Sequence, residues 1–128
     1  MISRQRVGHL KDFKELLVWQ KSHRLSLKIY NKTLNFPKEE LYGLTSQVRR
    51  ACISIPANIS EGCGRNSETE LARFFQIAMG SASELEYHLL LAHDLGFLNN
   101  LDYEELNQEL IEVKKMLGAF IKKLKADS

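Results

Sequence analysis

The sequence predicts an all-α protein, a single domain of 128 residues folded as an antiparallel, up-down-up-down four-helix bundle. Four segments repeat apolar residues at spacings of three and four, as amphipathic helices do. No segment alternates apolar and polar residues for long enough to predict a strand. The connections are short, and short connections favour antiparallel neighbours. Residues 1–11 are expected to form a flexible N-terminal segment before the bundle.

The first helix is predicted at residues 12–35. It begins at Asp12, with Glu15 three residues later, which is the spacing of an N-cap and its supporting acid. It ends before the Phe36-Pro37 pair, because the residue preceding a proline disfavours helical backbone. Its apolar residues form two strips, of which we assign the first to the core. The first strip consists of Phe13, Leu16, Leu17, Leu27, Tyr30 and Leu34, and the second of Val18, Leu25, Ile29 and Phe36.

The second helix is predicted at residues 44–62. Its apolar seam consists of Leu44, Val48, Ala51, Cys52, Ile55 and Ile59. Pro56 interrupts this helix and has no amide proton, so the carbonyl of Cys52 needs another donor. Ser54 and Asn58 are the candidates.

Polar residues form a second stripe on helix two, beside the apolar seam. The stripe consists of Gln47, Arg50, Ser54, Asn58, Glu61 and Arg65. Three interpretations stay open: a solvent-facing surface, a hydrogen-bonded seam between helices or subunits, and a ligand-reading groove. Arg50 and Glu84 are candidate partners across this seam.

The third and fourth helices are predicted at residues 67–96 and 102–125, beginning at Ser67 and Asp102. The third helix carries one stripe of Leu71, Phe74, Phe75, Ala78, Ala82, Leu85, Leu89 and Ala92. Towards its end, however, Leu85, Tyr87, Leu89, Leu90, Leu91 and Leu95 surround the helix. A helix that is apolar on every side must be covered on more than one side. We therefore predict a homo-oligomer.

No catalytic, metal or cofactor site is predicted. The sequence has no glycine-rich phosphate loop, nucleophile elbow or paired Glu-x-x-His motif. Cys52 and Cys63 are expected to be reduced thiols, with Cys63 exposed between two glycines. No apolar run reaches the ~18 residues that a membrane span requires. With no signal peptide evident, a cytoplasmic location without membrane contact is expected.

Charge is divided unevenly along the chain, although the net charge is only +2. Residues 1–66 carry twelve Lys and Arg against five Asp and Glu, whereas residues 67–128 carry six against eleven. The first half therefore has a charge of +7 and the second −5. Either the first half faces a polyanion or the two halves attract each other.

Helix one concentrates this charge in a basic stripe that no acid interrupts. The basic stripe consists of Lys14, Lys21, Arg24, Lys28 and Lys32. A row of cations suits a phosphate backbone, where each neutralised phosphate releases counterions. The alternatives are a solvated face, or a face that pairs with the acids of helices three and four in a neighbouring copy.

Three segments resemble a known family. They are GLTSQVRRACISIPANISEGCGR from Gly43 to Arg65, FKELLVWQKSHRLSLKIY from Phe13 to Tyr30, and MGSASELEYHLLLAHDLGFL from Met79 to Leu98. They resemble the small bacterial four-helix-bundle family encoded by intervening sequences within large-subunit ribosomal RNA genes. The matching motif positions are Arg49, Arg50, Ser54, Pro56, Asn58, Glu61, Gly62, Arg65, Gly80, Ser81 and Glu84.

That family is similar in turn to the accessory variability determinant proteins of diversity-generating retroelements, which are basic homopentamers that bind nucleic acid and a reverse transcriptase. The resemblance implies a bundle, a pentamer and RNA or DNA binding, and it supplies no catalytic residues. A net charge of +2 makes this chain less basic than such an accessory protein.

The functional prediction is a non-enzymatic homo-oligomer that binds structured nucleic acid, RNA or DNA, through the basic stripe. Arg49 and Arg65 are expected to assist. The alternative is a protein–protein scaffold, or an accessory subunit that docks a partner enzyme such as a reverse transcriptase.

Overall fold

The computed structural model describes residues 12–127, which form four long helices. The helices are α1 (Leu17–Thr33), α2 (Leu44–Cys63), α3 (Glu68–Asp94) and α4 (Asn100–Asp127), with single 3-10 turns at Phe13–Glu15 and Lys38–Glu40. The all-α prediction is confirmed, since no strand occurs in residues 12–127. The expectation for residues 1–11 lies outside the described residues.

Contacts between neighbouring helices run in opposite residue order. On α1 and α4, Lys21 pairs with Glu112 and Lys32 with Asp102. The order is also reversed between α1 and α2, where Ser26 contacts Cys52 and Thr33 contacts Arg49. Between α2 and α3, Ser54 contacts Ser81 and Gly62 lies against Leu71. Between α3 and α4, Glu86 contacts Lys114 and His93 contacts Tyr103. Each helix is therefore antiparallel to both of its neighbours, as an up-down-up-down bundle requires.

The core lies where the apolar seam of α2, the stripe of α3 and one face of α4 meet. The apolar seam of α2 and the stripe of α3 are buried at every predicted position. From α4, the buried residues are Leu106, Leu110, Val113, Leu117 and Leu124. Because the spacing of three and four matches the helical repeat, these faces follow directly from the sequence.

The core assignment for α1 is wrong. The structure buries the second strip, whereas Leu27, Tyr30 and Leu34 of the first strip are exposed. The α1 face that packs into the bundle also contains three buried hydroxyl residues, Ser22, Ser26 and Thr33. Their hydroxyl groups donate to backbone carbonyls, so their hydrogen-bonding requirement is satisfied inside the protein. The buried face of α1 therefore mixes apolar side chains with hydroxyl residues and looks more polar in sequence than the exposed strip.

Side chains cap the starts of α3 and α4, but not the start of α1. Ser67 Oγ accepts from the amide of Glu70, as predicted. The predicted start at Asp12 is wrong, because Asp12 caps only the 3-10 turn Phe13–Glu15, and α1 begins at Leu17. On α4, however, Asn99 accepts from the amide of Asp102 at 2.7 Å. Asn99 rather than Asp102 is therefore the cap, because asparagine is an equally good N-cap and lies three residues earlier.

The proline of α2 is accommodated by a neighbouring helix. Ser26 Oγ on α1 lies 3.0 Å from the carbonyl oxygen of Cys52, the carbonyl that Pro56 leaves without an amide donor. The predicted donors act elsewhere, since Asn58 Nδ2 donates to the carbonyl and hydroxyl oxygens of Ser54. Pro56 thus leaves a carbonyl that needs a hydrogen-bond donor, and Ser26 of α1 supplies that donor. The packing of α1 against α2 is therefore linked to the presence of proline at position 56.

Candidate interaction surfaces

The basic stripe faces α4, whose first half carries the carboxylates that pair with it. Lys28 Nζ donates to Glu109 at 2.6 Å and to Glu105 at 3.0 Å. These two hydrogen bonds raise the pKa of Lys28 above its usual value. Lys28 is therefore bound on both sides by its own chain.

Two further lysines of the stripe are paired in the same way. Lys21 Nζ lies 3.2 Å from Glu112, and Lys32 Nζ lies 3.1 Å from Asp102. Three of the five stripe cations are thus neutralised within the molecule. Of the two explanations for the charge asymmetry, attraction between the halves of the chain is the one that these ion pairs support.

Two stripe cations keep their charge uncompensated. The side chains of Lys14 and Arg24 make no hydrogen bond or ion pair with any residue between 12 and 127. Arg24 borders a shallow groove of about 260 Å³ between α1 and α4, which Lys21, Lys28, Glu109 and Glu112 also line. A phosphate entering this groove would meet carboxylates as well as cations. The nucleic-acid role of the stripe stays a prediction.

The two assisting arginines also have partners. Arg49 donates to the hydroxyl of Thr33, and its guanidinium lies 4.7 Å from the centre of the Tyr30 ring. Arg65 donates to Glu61 at 2.8 Å and lies over the Phe74 ring. Arg49 therefore helps attach α2 to α1, and Arg65 covers the side of α3 near the end of α2.

Among the described residues, the polar stripe of α2 makes one side-chain hydrogen bond to another helix. Ser54 Oγ lies 2.7 Å from Ser81 Oγ on α3, and Asn58 donates to Ser54. Small residues at this crossing allow α2 and α3 to approach closely. For Ser54 and Asn58, the hydrogen-bonded seam is thus the interpretation that the geometry supports, and it joins helices of one subunit.

The rest of the polar stripe does not join the seam. Glu61 pairs with Arg65, which lies two residues beyond the end of α2. Glu84 lies 3.1 Å from His88 Nε2 and does not pair with Arg50. Within the described part of the chain, Gln47 and Arg50 are exposed and their side chains make no hydrogen bond. Because α2 turns by about 100° per residue, residues at the outer edge of the stripe face solvent instead of α3.

No metal site is found among residues 12–127, and both cysteines are buried. No cluster of His, Cys, Asp and Glu in that range could hold a metal ion. Cys63 is buried rather than exposed, because Gly62 lets α2 pack closely against Leu71 and Phe74. Burial raises the pKa of both Cys52 and Cys63 to about 11, which leaves them as unreactive thiols. No helix among the described residues is long and apolar enough to cross a membrane.

Apolar side chains are exposed on the long sides of the bundle. We define the lateral set as Leu17, Leu27, Tyr30, Ile53, Ile77, Tyr87 and Leu90, each at least 40% exposed. Leu27 and Tyr30 are three residues apart on α1, and Ile53 follows Arg49, which covers the Tyr30 ring, by four. These spacings place Leu27, Tyr30 and Ile53 on the outer face that α1 shares with α2.

A second group of exposed apolar side chains lies at one end of the bundle. We define the end set as Leu34, Leu41, Tyr42, Leu95 and Leu101. They lie on or beside the α1–α2 and α3–α4 connections, which meet where the rings of Phe36 and Phe97 lie 5.7 Å apart. The exposure of Leu41, Tyr42 and Leu101 was not predicted from the sequence. The available signal was the presence of large apolar residues beside Pro37 and Gly96, where helical packing does not force burial.

The fold and these surfaces define a class of protein, namely a small four-helix bundle whose distinctive features are exposed apolar faces and a charge-paired helix. Residues 14–119 match the model of the 23S rRNA-intervening sequence protein family. The chain belongs to that family, as the motifs in the sequence indicated.

A solved structure supports this placement. The chain is similar to a protein of unknown function from the S23 ribosomal protein family of Bacteroides thetaiotaomicron, with 28% sequence identity and a TM-score of 0.76. The similarity covers 83% of this chain and 99% of that protein. A search among curated proteins finds no match. Neither the family nor this relative indicates an enzymatic activity.

Proposed function

We propose that this protein is a non-enzymatic, self-associating bundle that acts as a scaffold and docks a partner protein. The observation that carries the proposal is the exposed apolar surface that remains after the helices have packed. The lateral set and the end set together comprise twelve large apolar side chains, each at least 40% exposed. Clustered apolar side chains, such as Leu27, Tyr30 and Ile53 on the α1–α2 face, mark interaction sites in soluble proteins.

Self-association is assigned to the lateral set. Leu27, Tyr30 and Ile53 lie on the α1–α2 face, whereas Tyr87 and Leu90 lie on α3, so two different sides of the bundle are apolar. Contact between unlike faces of two copies is heterologous, and it closes into a ring where the rotation permits. The pentamer implied by the resemblance to the retroelement accessory proteins would be such a ring. The same resemblance supports docking to an enzyme of the reverse-transcriptase class.

Sedimentation velocity tests self-association. The wild-type protein is expected to sediment as an oligomer at micromolar concentration, and the Leu27→Ser, Ile53→Ser double variant as a monomer. The matched control is Lys115→Ser with Lys122→Ser, which changes the same number of exposed side chains on α4 without removing apolar area. A wild-type monomer, or dissociation of the control as well, would contradict the assignment.

Nucleic-acid binding is the second candidate. It is favoured by the exposed side chains of Lys14 and Arg24, which have no partner among residues 12–127. The ion pairs supply a sharp test of the basic stripe. Replacing Glu105, Glu109 and Glu112 by Gln frees Lys21 and Lys28, whereas replacing Lys21, Arg24 and Lys28 by Gln removes the site.

Binding of a structured RNA is measured for both variants as a function of salt concentration. If the stripe binds phosphates, the glutamate variant must bind more tightly and with a steeper salt dependence, by about 0.7–0.9 in logarithmic slope per added phosphate contact. The lysine–arginine variant must lose that dependence. Equal slopes in the two variants would show that the stripe serves only to attach α1 to α4.

A further inference from the structure

Apolar exposure is greatest at one end of the molecule. Tyr42 is 92% exposed, Leu101 76% and Leu34 71%, and these are the three most exposed large apolar side chains among residues 12–127. Leu41 directly precedes Tyr42, Leu95 directly follows α3, and both are about half exposed. At the opposite end, the α2–α3 connection reads Gly-Arg-Asn-Ser from Gly64 to Ser67 and contains no apolar side chain. The exposed end is therefore specific to the two connections that carry the end set.

The same end is acidic. Residues 33–44 and 94–104 contain one lysine, Lys38, against five carboxylates, Glu39, Glu40, Asp94, Asp102 and Glu104, for a net charge of −4. Asp102 is neutralised by Lys32, and Glu40 accepts from the amide of Leu44. Glu39 and Glu104 have no partner among the described residues, so uncompensated carboxylates remain beside the apolar side chains.

A groove extends this arrangement along α4. It has a volume of about 350 Å³, begins at Leu101, and is otherwise lined by Glu104, Glu105, Gln108, Glu109 and Glu112. An extended or helical segment placed in it would meet Leu101 and the carboxylate of Glu104 at the end of the bundle. Further along, Glu105, Glu109 and Glu112 already pair with Lys28 and Lys21, so the free carboxylate of the groove lies beside its apolar contact. The side chains that complement this combination are apolar residues accompanied by lysine or arginine.

We infer that the end set is the docking site for a basic, amphipathic segment of a partner protein. The apolar side chains of the segment cover Tyr42, Leu101 and Leu34, and its cations face Glu39 and Glu104. The inference rests on the proposed function, of which it names the docking surface and the chemistry of the partner. It assigns docking to the end set, away from the lateral set that associates copies of this chain.

The test uses a synthetic helical peptide of leucine and lysine, together with a peptide in which glutamate replaces every lysine. Fluorescence anisotropy with the full-length protein is expected to show binding of the lysine peptide only. The Tyr42→Ser, Leu101→Ser double variant should weaken binding about tenfold or more, since such exposed anchors carry most of an interface's affinity. The Glu39→Gln, Glu104→Gln double variant should weaken binding and flatten its salt dependence.

A matched control is Gln76→Ser, which shortens an exposed, uncharged side chain on α3 outside both the end set and the lateral set. It must leave peptide affinity unchanged. Equal binding of the two peptides, or equal affinity of wild type and the Tyr42→Ser, Leu101→Ser variant, would overturn the inference. Dissociation of the oligomer by that variant would also overturn it, because the end set would then join copies of this chain.

Failure of self-association is distinguishable from failure of this inference. A wild-type monomer that binds the lysine peptide through the end set removes the ring and keeps the docking site. An oligomer that does not bind the peptide removes the docking site and keeps the ring.

Discussion

The hydrogen bond between Ser26 and the carbonyl of Cys52 predicts a measurable coupling between α1 and the proline of α2. Ser26→Ala removes the one side-chain donor that reaches a buried carbonyl lacking its helical partner. A buried acceptor left without a donor costs about 1–3 kcal/mol. The carbonyl of Ser22, which also lies 3.0 Å from Ser26 Oγ, is in the helix interior and has the amide of Ser26 as its regular donor. The expected loss therefore arises at Cys52.

The coupling is tested with a double-mutant cycle. Pro56→Ala restores an amide at position 56 that can donate to Cys52, so in this background Ser26→Ala should cost less than about 0.5 kcal/mol. The free energy of unfolding is measured by urea titration with circular dichroism. For a slope of about 2 kcal/mol per molar, a loss of about 2 kcal/mol lowers the midpoint by roughly 1 M.

Ser22→Ala is the matched control for this cycle. Ser22 is as deeply buried as Ser26, but its hydroxyl donates to the carbonyl of Trp19 on its own helix, where an amide already serves. Its removal should cost much less than the loss at Ser26. If Ser26→Ala lowers the free energy of unfolding equally in the wild-type background and in the Pro56→Ala background, the reasoning is refuted.

Three further predictions concern packing, the thiols and alkaline pH. Gly62→Ala should destabilise the protein by about 1–3 kcal/mol in urea titration, because its Cβ would lie 3.0 Å from Phe74 Cβ, whereas Gly80→Ala meets open space and should stabilise α3 by about 0.5–1 kcal/mol. Both thiols should react with a disulfide reagent at neutral pH only as fast as the fold opens, and at once in denaturant, since burial raises each pKa to about 11. The pKa of Lys28 is raised in the folded state, so its ion pairs stabilise the protein fully below the unfolded pKa, and this stability is lost as pH rises through the higher folded pKa. Lys28→Met should therefore reduce the decrease in the free energy of unfolding above about pH 10.4.

The core residues of α2 and α3 were predictable because their residue types and spacing indicate burial. Positions such as Leu85 and Leu89 are large and apolar, and their spacing of four matches the helical turn. On α1 the same reasoning chose the wrong side. Ser22 and Ser26 are small and polar in sequence, and they become core residues only because nearby carbonyls accept their hydroxyl protons. The positions of those carbonyls are known only once the helices have formed and packed, so the sequence pattern does not reveal them.

The interaction surfaces divide in the same way. The cations of α1 and the acids of α4 are evident in the sequence, and so is the attraction between the two halves of the chain. Lys28 lies between Glu105 and Glu109 because α1 and α4 are neighbours. The periodicity of the sequence does not determine which helices are neighbours. The exposure of Tyr42 depends on the path of a connection, for which a sequence without a regular repeat gives little information.

The separation of the lateral set from the end set gives the proposed assembly a consequence that neither surface has alone. In a cyclic ring every subunit points the same way along the axis, so every copy presents its acidic, apolar end on one side. A single end, with its few anchors, offers a modest binding surface. A partner that carries several basic segments would engage several ends at once, and linked contacts raise affinity by about 10²–10⁴ without any new side-chain contact. Self-association through α1, α2 and α3 would then convert a weak docking site into a multivalent scaffold.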